Sequence, residues 1–119
     1  MNPPGLMQRF FMSVLRYAAN KNIALAQYML GVIYDQGRNV AQDPVQAVEW
    51  FRKAAEQGYA DAQFSLGGMY AKGAGVARNN KESLKWLRLA AEQGHTDAQQ
   101  LLEAANSKNT GRPPAGKGR

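Results

Sequence analysis

An all-α solenoid of stacked antiparallel helix pairs is the fold class that this 119-residue sequence predicts. Two observations carry the prediction. Slid along itself by 36 residues, the chain aligns residues 23–58 with 59–94, and 16 of the 36 positions are identical. Unrelated segments of ordinary composition would share about two. Within each unit, apolar residues recur every three or four positions, the spacing that lines one side of a helix. A period of this length marks helix pairs that bury their apolar sides by stacking on one another.

Each unit holds a first helix, A, and a second, B. Helix A is expected over about 24–36 and again over 60–72, with Ala26, Leu30 and Tyr34 recurring every four residues. Helix B is expected over about 44–57 and 80–93, with Ala47, Phe51 and Ala54, then Ser83, Leu87 and Ala90, as its stripe. Asp43-Pro44-Val45-Gln46 opens the first helix B with a side-chain acceptor at the cap, Pro in the first turn and Gln three residues on, a capping-box pattern. Asn79 and Glu82 stand in the same places one period later. Gly37, Gly58, Gly73 and Gly94 suit the left-handed residue that follows a helix end. Gly31 and Gly67 sit in mid-helix, where glycine weakens the helix, so they mark close approach of two helices.

The pattern extends outward. Phe11, Val14, Leu15, Arg16, Ala18 and Ala19 fall one period before Ala47, Trp50, Phe51, Arg52, Ala54 and Ala55, which makes residues 6–20 a lone helix B. Asp97-Ala98-Gln99 and Leu102 repeat Asp61-Ala62-Gln63 and Leu66, giving a third helix A over 96–106. The expected domain is therefore residues 1–106, with two full repeats (23–58 and 59–94) flanked by half repeats (6–22 and 95–106), six helices in all. The Gly-, Pro- and basic-rich stretch 107–119 is expected to be a disordered tail.

The residues Ala26-x-x-x-Leu30-Gly31-x-x-Tyr34, then Gly73-Ala74-Gly75-Val76, then Trp50-x-x-x-Ala54-Ala55-x-x-Gly58 resemble the Sel-one-like repeat, a relative of the tetratricopeptide repeat. The resemblance covers 23–94 fully and the flanking helices in degenerate form. It departs at Asn39, where the family turn usually has Gly; Asn tolerates positive φ, so the turn is expected to survive. The resemblance implies a right-handed superhelix whose A helices line a concave surface used in assembling protein complexes, and it implies no catalysis. Aligned on the tetratricopeptide pattern, the inner surface is expected to carry Leu25, Tyr28, Val32, Asp35 and Gln36, then Asp61, Phe64, Gly68, Ala71 and Lys72, then Asp97, Gln100 and Ala104. Tyr28 and Phe64 are expected to lie partly in the core. The expected partner is a protein or peptide segment, with the aromatic residues as anchors and the polar ones fixing its register.

The remaining chemistry points away from an enzyme. His95 is the only histidine, at the start of the third helix A, and its expected role is surface or inter-repeat packing. Asp61 and Asp97 fall in helix first turns and Asp43 at a cap, all positions that favour a negative charge. Gly73-Ala74-Gly75 has no strand before it and reads as a turn, not a phosphate cradle. Trp50 and Trp86 share the repeat period and read as core. No catalytic, metal-binding or cofactor-binding set is expected.

Without Cys, disulfides and thiolate zinc sites are excluded and the redox compartment is left open. The net charge of +6 lies mostly in Lys108, Arg112, Lys117 and Arg119, so residues 1–106 hold only two more basic than acidic side chains. An alternative expectation is association with nucleic acid or an anionic membrane through that tail, or through the amphipathic N-terminal helix with Arg9 and Arg16. That helix is also richer in apolar residues than its copies. Phe10 stands where Gln46 and Glu82 stand, and Met12 where Val48 and Leu84 do, which suggests a homodimer through residues 6–19. The start, Met1-Asn2-Pro3-Pro4-Gly5, has no basic residue, and the apolar run Phe10-Phe11-Met12 is too short for a signal-peptide core. The chain therefore reads as cytoplasmic, or as periplasmic or secreted if a leader has been removed.

Overall fold

The computed structural model describes residues 4–110, with the side chains of 5–107. Its helices are α1 (Pro4–Asn20), α2 (Ala24–Gln36), α3 (Pro44–Glu56), α4 (Ala60–Lys72), α5 (Asn80–Glu92) and α6 (Thr96–Thr110). Among the described residues there is no strand, and the order B, A-B, A-B, A stands as the period implies. Each helix packs chiefly on its neighbours in sequence, the one-dimensional contact pattern of a solenoid. One boundary differs: α6 runs to Thr110, so residues 107–110, expected in the tail, are helical. The rest of the tail, 111–119, lies outside the described residues, and with it the nucleic-acid or lipid contact expected there.

Local chemistry sets the helix ends. Asp43 Oδ1 accepts from the Gln46 N–H at 3.1 Å, and Asn79 Oδ1 from the Glu82 N–H at 3.0 Å. In a full capping box the side chain three residues on would satisfy the cap residue's own N–H. Here that N–H points across the turn instead. Asp43 N donates to the Tyr34 carbonyl at 2.9 Å and Asn79 N to the Tyr70 carbonyl at 3.0 Å, so the start of each helix B is tied to the end of its helix A. Asn39 takes φ 60° where Gly75 takes 71° in the next repeat, as its tolerance for left-handed backbone allows. Gly75 has a further constraint. A Cβ there would lie 2.2 Å from the Pro44 carbonyl oxygen, because the second turn rests on the backbone of the previous helix B.

The core runs along the seam between the A and B layers. Leu30, Leu66, Ala47, Ala54, Ala62 and Ala90 are buried completely. Gly31 and Gly67 are the points of close approach within each pair. A Cβ on Gly31 would come within 2.5 Å of the Phe51 ring, and one on Gly67 within 2.9 Å of Leu87 Cγ. Of the two tryptophans expected in the core, Trp86 is buried at 6% exposure. Trp50 is only half-buried and packs on the edge of the core.

A repeated polar device joins one pair to the next. Gln27 and Gln63 lie inside the apolar stripe at 2% and 4% exposure. The Gln27 amide donates to the Ala19 carbonyl at the end of α1 (3.1 Å), and its oxygen accepts from Gln57 Nε2 just past α3 (2.8 Å). One period on, Gln63 donates to Ala55 O (3.2 Å) and accepts from Gln93 Nε2 (2.9 Å). Further along the same helices, Arg16 donates to the Tyr34 hydroxyl at 2.9 Å and Arg52 to the Tyr70 hydroxyl at 2.7 Å.

Two outcomes follow for unfolding in urea. Gln63→Leu keeps the shape but removes both bonds that Gln63 makes to Ala55 O and Gln93, and at about 1 kcal/mol for each bond is expected to cost about 1–3 kcal/mol. Gln99→Leu, at the exposed last rung where Gln99 donates to Ala91 O, should cost under about 0.5 kcal/mol. Gly31→Ala should also destabilise. The buried Phe51 ring cannot withdraw cheaply, so overpacking of about 1–3 kcal/mol outweighs the gain in helix propensity of about 1 kcal/mol.

Candidate functional site

The A helices touch one another along one face, and aromatic rings carry the contact. Tyr28 of α2 packs on Tyr59, the residue before α4, with centroids 5.3 Å apart, and on Phe51 of α3 at 5.8 Å. One period later Phe64 of α4 stacks on His95, the residue before α6, at 4.6 Å and 21°. His95 Nδ1 accepts from the Ala98 N–H at 3.2 Å, and Nε2 lies 2.9 Å from Asp61 Oδ1. A neutral ring with its proton on Nε2 satisfies both contacts at once. His95 thus caps α6 and links it to α4, the inter-repeat packing expected of it.

The expected face residues divide into two groups. Leu25, Gln36, Asp61, Lys72, Asp97 and Gln100 are exposed. Tyr28, Val32, Asp35 and Phe64 are half-buried. Tyr28 and Phe64 are links between repeats before they are free anchors. Tyr28 also lies close enough to Asp61 to sense its charge. Partial burial, then the Asp61 carboxylate, then Tyr59 hold its phenol above the ordinary value of 10.0, while a hydrogen bond with Ser65 pulls the other way. The residues that sequence reasoning passed over are the positioning ones: Gln27, Gln57, Gln63, Gln93, and the Arg16–Tyr34 and Arg52–Tyr70 pairs. Their signal was present, since an amide recurring beside Ala26 and Ala62 inside an apolar stripe requires buried partners.

Next to this face, between α1, α2 and the turn after α2, lies an open cavity of about 630 Å³. Met7, Gln8, Phe11 and Met12 line it from α1 and Tyr28, Met29, Val32 and Ile33 from α2, with Arg38 and Asn39 of the following turn. Met12, expected at a self-association surface, is buried against α2 as part of this lining. Phe10 projects away at 68% exposure. Among the described residues no group of His, Cys, Asp and Glu is placed to hold a metal ion, and no helix is long and apolar enough to cross a membrane.

The Sel1 repeat model matches the chain twice, over residues 24–59 and 60–95. No curated protein matches the chain. Among solved structures, the chain is similar to a protective antigen of uropathogenic Escherichia coli strains that displays an SLR fold. The identity is 45% and the TM-score 0.80, over 82% of this chain and 21% of that one. A Sel1 repeat protein from Oxalobacter formigenes matches at 46% identity and a TM-score of 0.77, over 79% of this chain and 27% of that one. The cysteine-rich protein B of Helicobacter pylori matches at 26% identity and a TM-score of 0.75, over 79% of this chain and 71% of that one. The chain thus spans about a fifth to a quarter of the length of the first two.

The Tyr28 environment makes a prediction in alkali. A phenol whose value is raised by folding adds stability that is complete below its unfolded value and is lost as pH climbs through the folded one. Wild-type protein should therefore lose stability above pH 10.0. Tyr28→Phe should lose less over the same interval, measured as urea midpoints at both ends of it.

Proposed function

The chain belongs to the Sel1 repeat family, and from that premise we propose that it is a scaffold holding a partner protein segment against the exposed face of α2, α4 and α6. Sel1 repeats form non-catalytic helical scaffolds that generally mediate protein–protein interaction. One observation carries the reading to this face. The seam positions Ala26, Gln27, Leu30, Gly31 and Tyr34 of α2 are identical in the next repeat. The five face positions all differ: Leu25 becomes Asp61, Tyr28 becomes Phe64, Val32 becomes Gly68, Asp35 becomes Ala71 and Gln36 becomes Lys72. A scaffold repeats what holds it together and varies what it presents. The variation along this face supplies apolar, acidic and basic groups in a fixed order, which suits recognition of one sequence among many.

Three A helices about 10 Å apart present a surface some 20–30 Å long. At about 3.3 Å per residue that matches roughly 6–9 extended residues, a footprint consistent with micromolar affinity. Polar side chains at Asp61, Lys72, Asp97 and Gln100 fix the register of such a segment, and Leu25 and Val32 supply apolar contact.

The test uses exposed residues that carry none of the packing described above. A partner recovered with wild-type protein is titrated against the double variant Lys72→Glu with Asp97→Lys, whose helicity is first checked by circular dichroism. Affinity is expected to fall about tenfold or more. Unchanged affinity in the folded variant would show that recognition runs elsewhere.

A further inference from the structure

Charge in this protein is divided between its two layers. The A helices α2, α4 and α6 hold four acidic residues, Asp35, Asp61, Asp97 and Glu103, against two basic ones, Lys72 and Lys108. The B helices α1, α3 and α5 hold seven basic residues against four acidic ones. An A layer of net negative charge thus belongs to a chain whose net charge is +6.

Helix chemistry explains part of this division. Asp61 and Asp97 lie in first turns, where the helix dipole favours an acid. Yet α2 forms without one, with Leu25 in that place. Asp35 lies in the last turn of α2, where the dipole opposes it, and Ala71 stands there one period on. The acids of this face are therefore not all placed for the sake of their helices.

The acid at Asp61 is set among rings. Asp61 and Phe64 are three residues apart on α4 and so share a side of it. Phe64 stacks on His95, whose Nε2 is 2.9 Å from Asp61 Oδ1. From α2 comes Tyr28, its ring packed on Tyr59 and its phenol raised in part by the Asp61 charge. These contacts fix the carboxylate without covering it, and the Asp61 side chain is 56% exposed. A carboxylate has about four acceptor sites, so it can take a cation and keep its bond to His95. Neither neighbour repeats the pairing: α2 has Tyr28 with Leu25, and α6 has Asp97 with Gln100.

We propose, resting on the reading of the A face as the docking surface, that the segment it holds is basic and places an arginine at Asp61, beside the rings of Tyr28 and Phe64. Arginine suits the place better than lysine, because its planar guanidinium pairs with a carboxylate through two N–H groups and stacks on aromatic rings. Neighbouring A helices lie about 10 Å apart, the reach of about three extended residues. The segment therefore carries an apolar residue three positions from the arginine, over Leu25 and Val32 of α2. On the other side, again three positions away, it carries a second basic residue at Asp97 of α6. A nucleic acid or an anionic membrane meets the wrong charge on this face.

The probe is a short labelled peptide, Gly-Leu-Ser-Ser-Arg-Ser-Ser-Lys-Gly with blocked ends, together with its reversed sequence, each titrated with the full chain by fluorescence anisotropy. One of the two directions is expected to bind saturably in the micromolar range. Citrulline in place of arginine keeps the shape and removes the charge, and should weaken that peptide about fivefold. In Asp61→Asn, whose amide oxygen can still accept from His95, the arginine and citrulline peptides should bind alike. Leu25→Ser should weaken both to the same extent. Arginine and citrulline peptides that bind the wild type alike, while both lose affinity in Leu25→Ser, overturn the arginine site and leave the A face as the docking surface. Binding indifferent to both Leu25→Ser and Asp61→Asn overturns both readings, since the peptide then sits elsewhere. No binding in either direction overturns the basic occupant, and the partner titration with Lys72→Glu and Asp97→Lys still decides whether the face docks a protein. Self-association in sedimentation that Asp61→Asn abolishes also overturns it, because the occupant is then a second copy.

Discussion

The side-chain amide of Gln27, buried between α1, α2 and the end of α3, is the contact on which the stacking of repeats depends. Its nitrogen takes a carbonyl at the end of the preceding helix and its oxygen takes the Gln57 amide from the following one. A buried amide left without partners costs about 1–3 kcal/mol. Three helices must therefore arrive in one register or that cost is incurred. Apolar packing alone is less exacting, since Tyr28 against Phe51 at 5.8 Å between ring centroids tolerates a slide that a hydrogen bond of 2.8 Å does not. The same arrangement at Gln63 propagates the register to the next pair. The Arg16–Tyr34 and Arg52–Tyr70 bonds hold the same helices farther along their length. Each joint is thus pinned at two places, which limits its twist as well as its slide.

This economy leaves the ends as the places where the chain departs from its own rule. At the C-terminal end the recurrent residues lapse into polar ones. Gln100 stands where Tyr28 and Phe64 stand, and Glu103 where the close-approach glycines stand. At the other end the substitutions run the opposite way, toward Met and Phe, and the result is a largely apolar cavity with Arg38 in its lining. The two ends differ in chemistry although they are halves of one repeating unit.

The outward surface of the A helices obeys a different logic. Between the two full repeats the positions there change while Ala26, Gln27, Leu30, Gly31 and Tyr34 do not, because a side chain in the seam has six or more neighbours to satisfy and one on the face has mostly water. The aromatic links at Tyr28 and Phe64 lie between these regimes. Each is committed on one side to Tyr59 or His95 and open on the other, so the face is rigid where it is most apolar.

The local features of the chain were legible without coordinates. The A helices begin and end at 24–36 and 60–72 as their spacing and C-terminal glycines imply, and Asn39 adopts the left-handed backbone asked of it. These depend on residues within one turn of each other, whose preferences are intrinsic to the backbone and side chain. Gly31 and Gly67 could be read as close approaches, since glycine in mid-helix has a cost that only packing explains. The partners of Gln27 and Gln63 could not. A hydrogen bond between residues 27 and 57 exists only once two helices have docked, and the sequence holds many glutamines with no mark to pair them. Likewise Tyr28 reads as an anchor in sequence and becomes a link in space, and Asn22 takes the place of Gly58 in a turn that only its φ of 67° reveals. The cavity beside α1 was decided last of all. Its walls come from two helices and a turn, and whether Met7, Phe11 and Met29 meet, bury one another or leave a space depends on the angle at which α1 crosses α2, which the docked hydrogen bonds of Gln27 and Arg16 set.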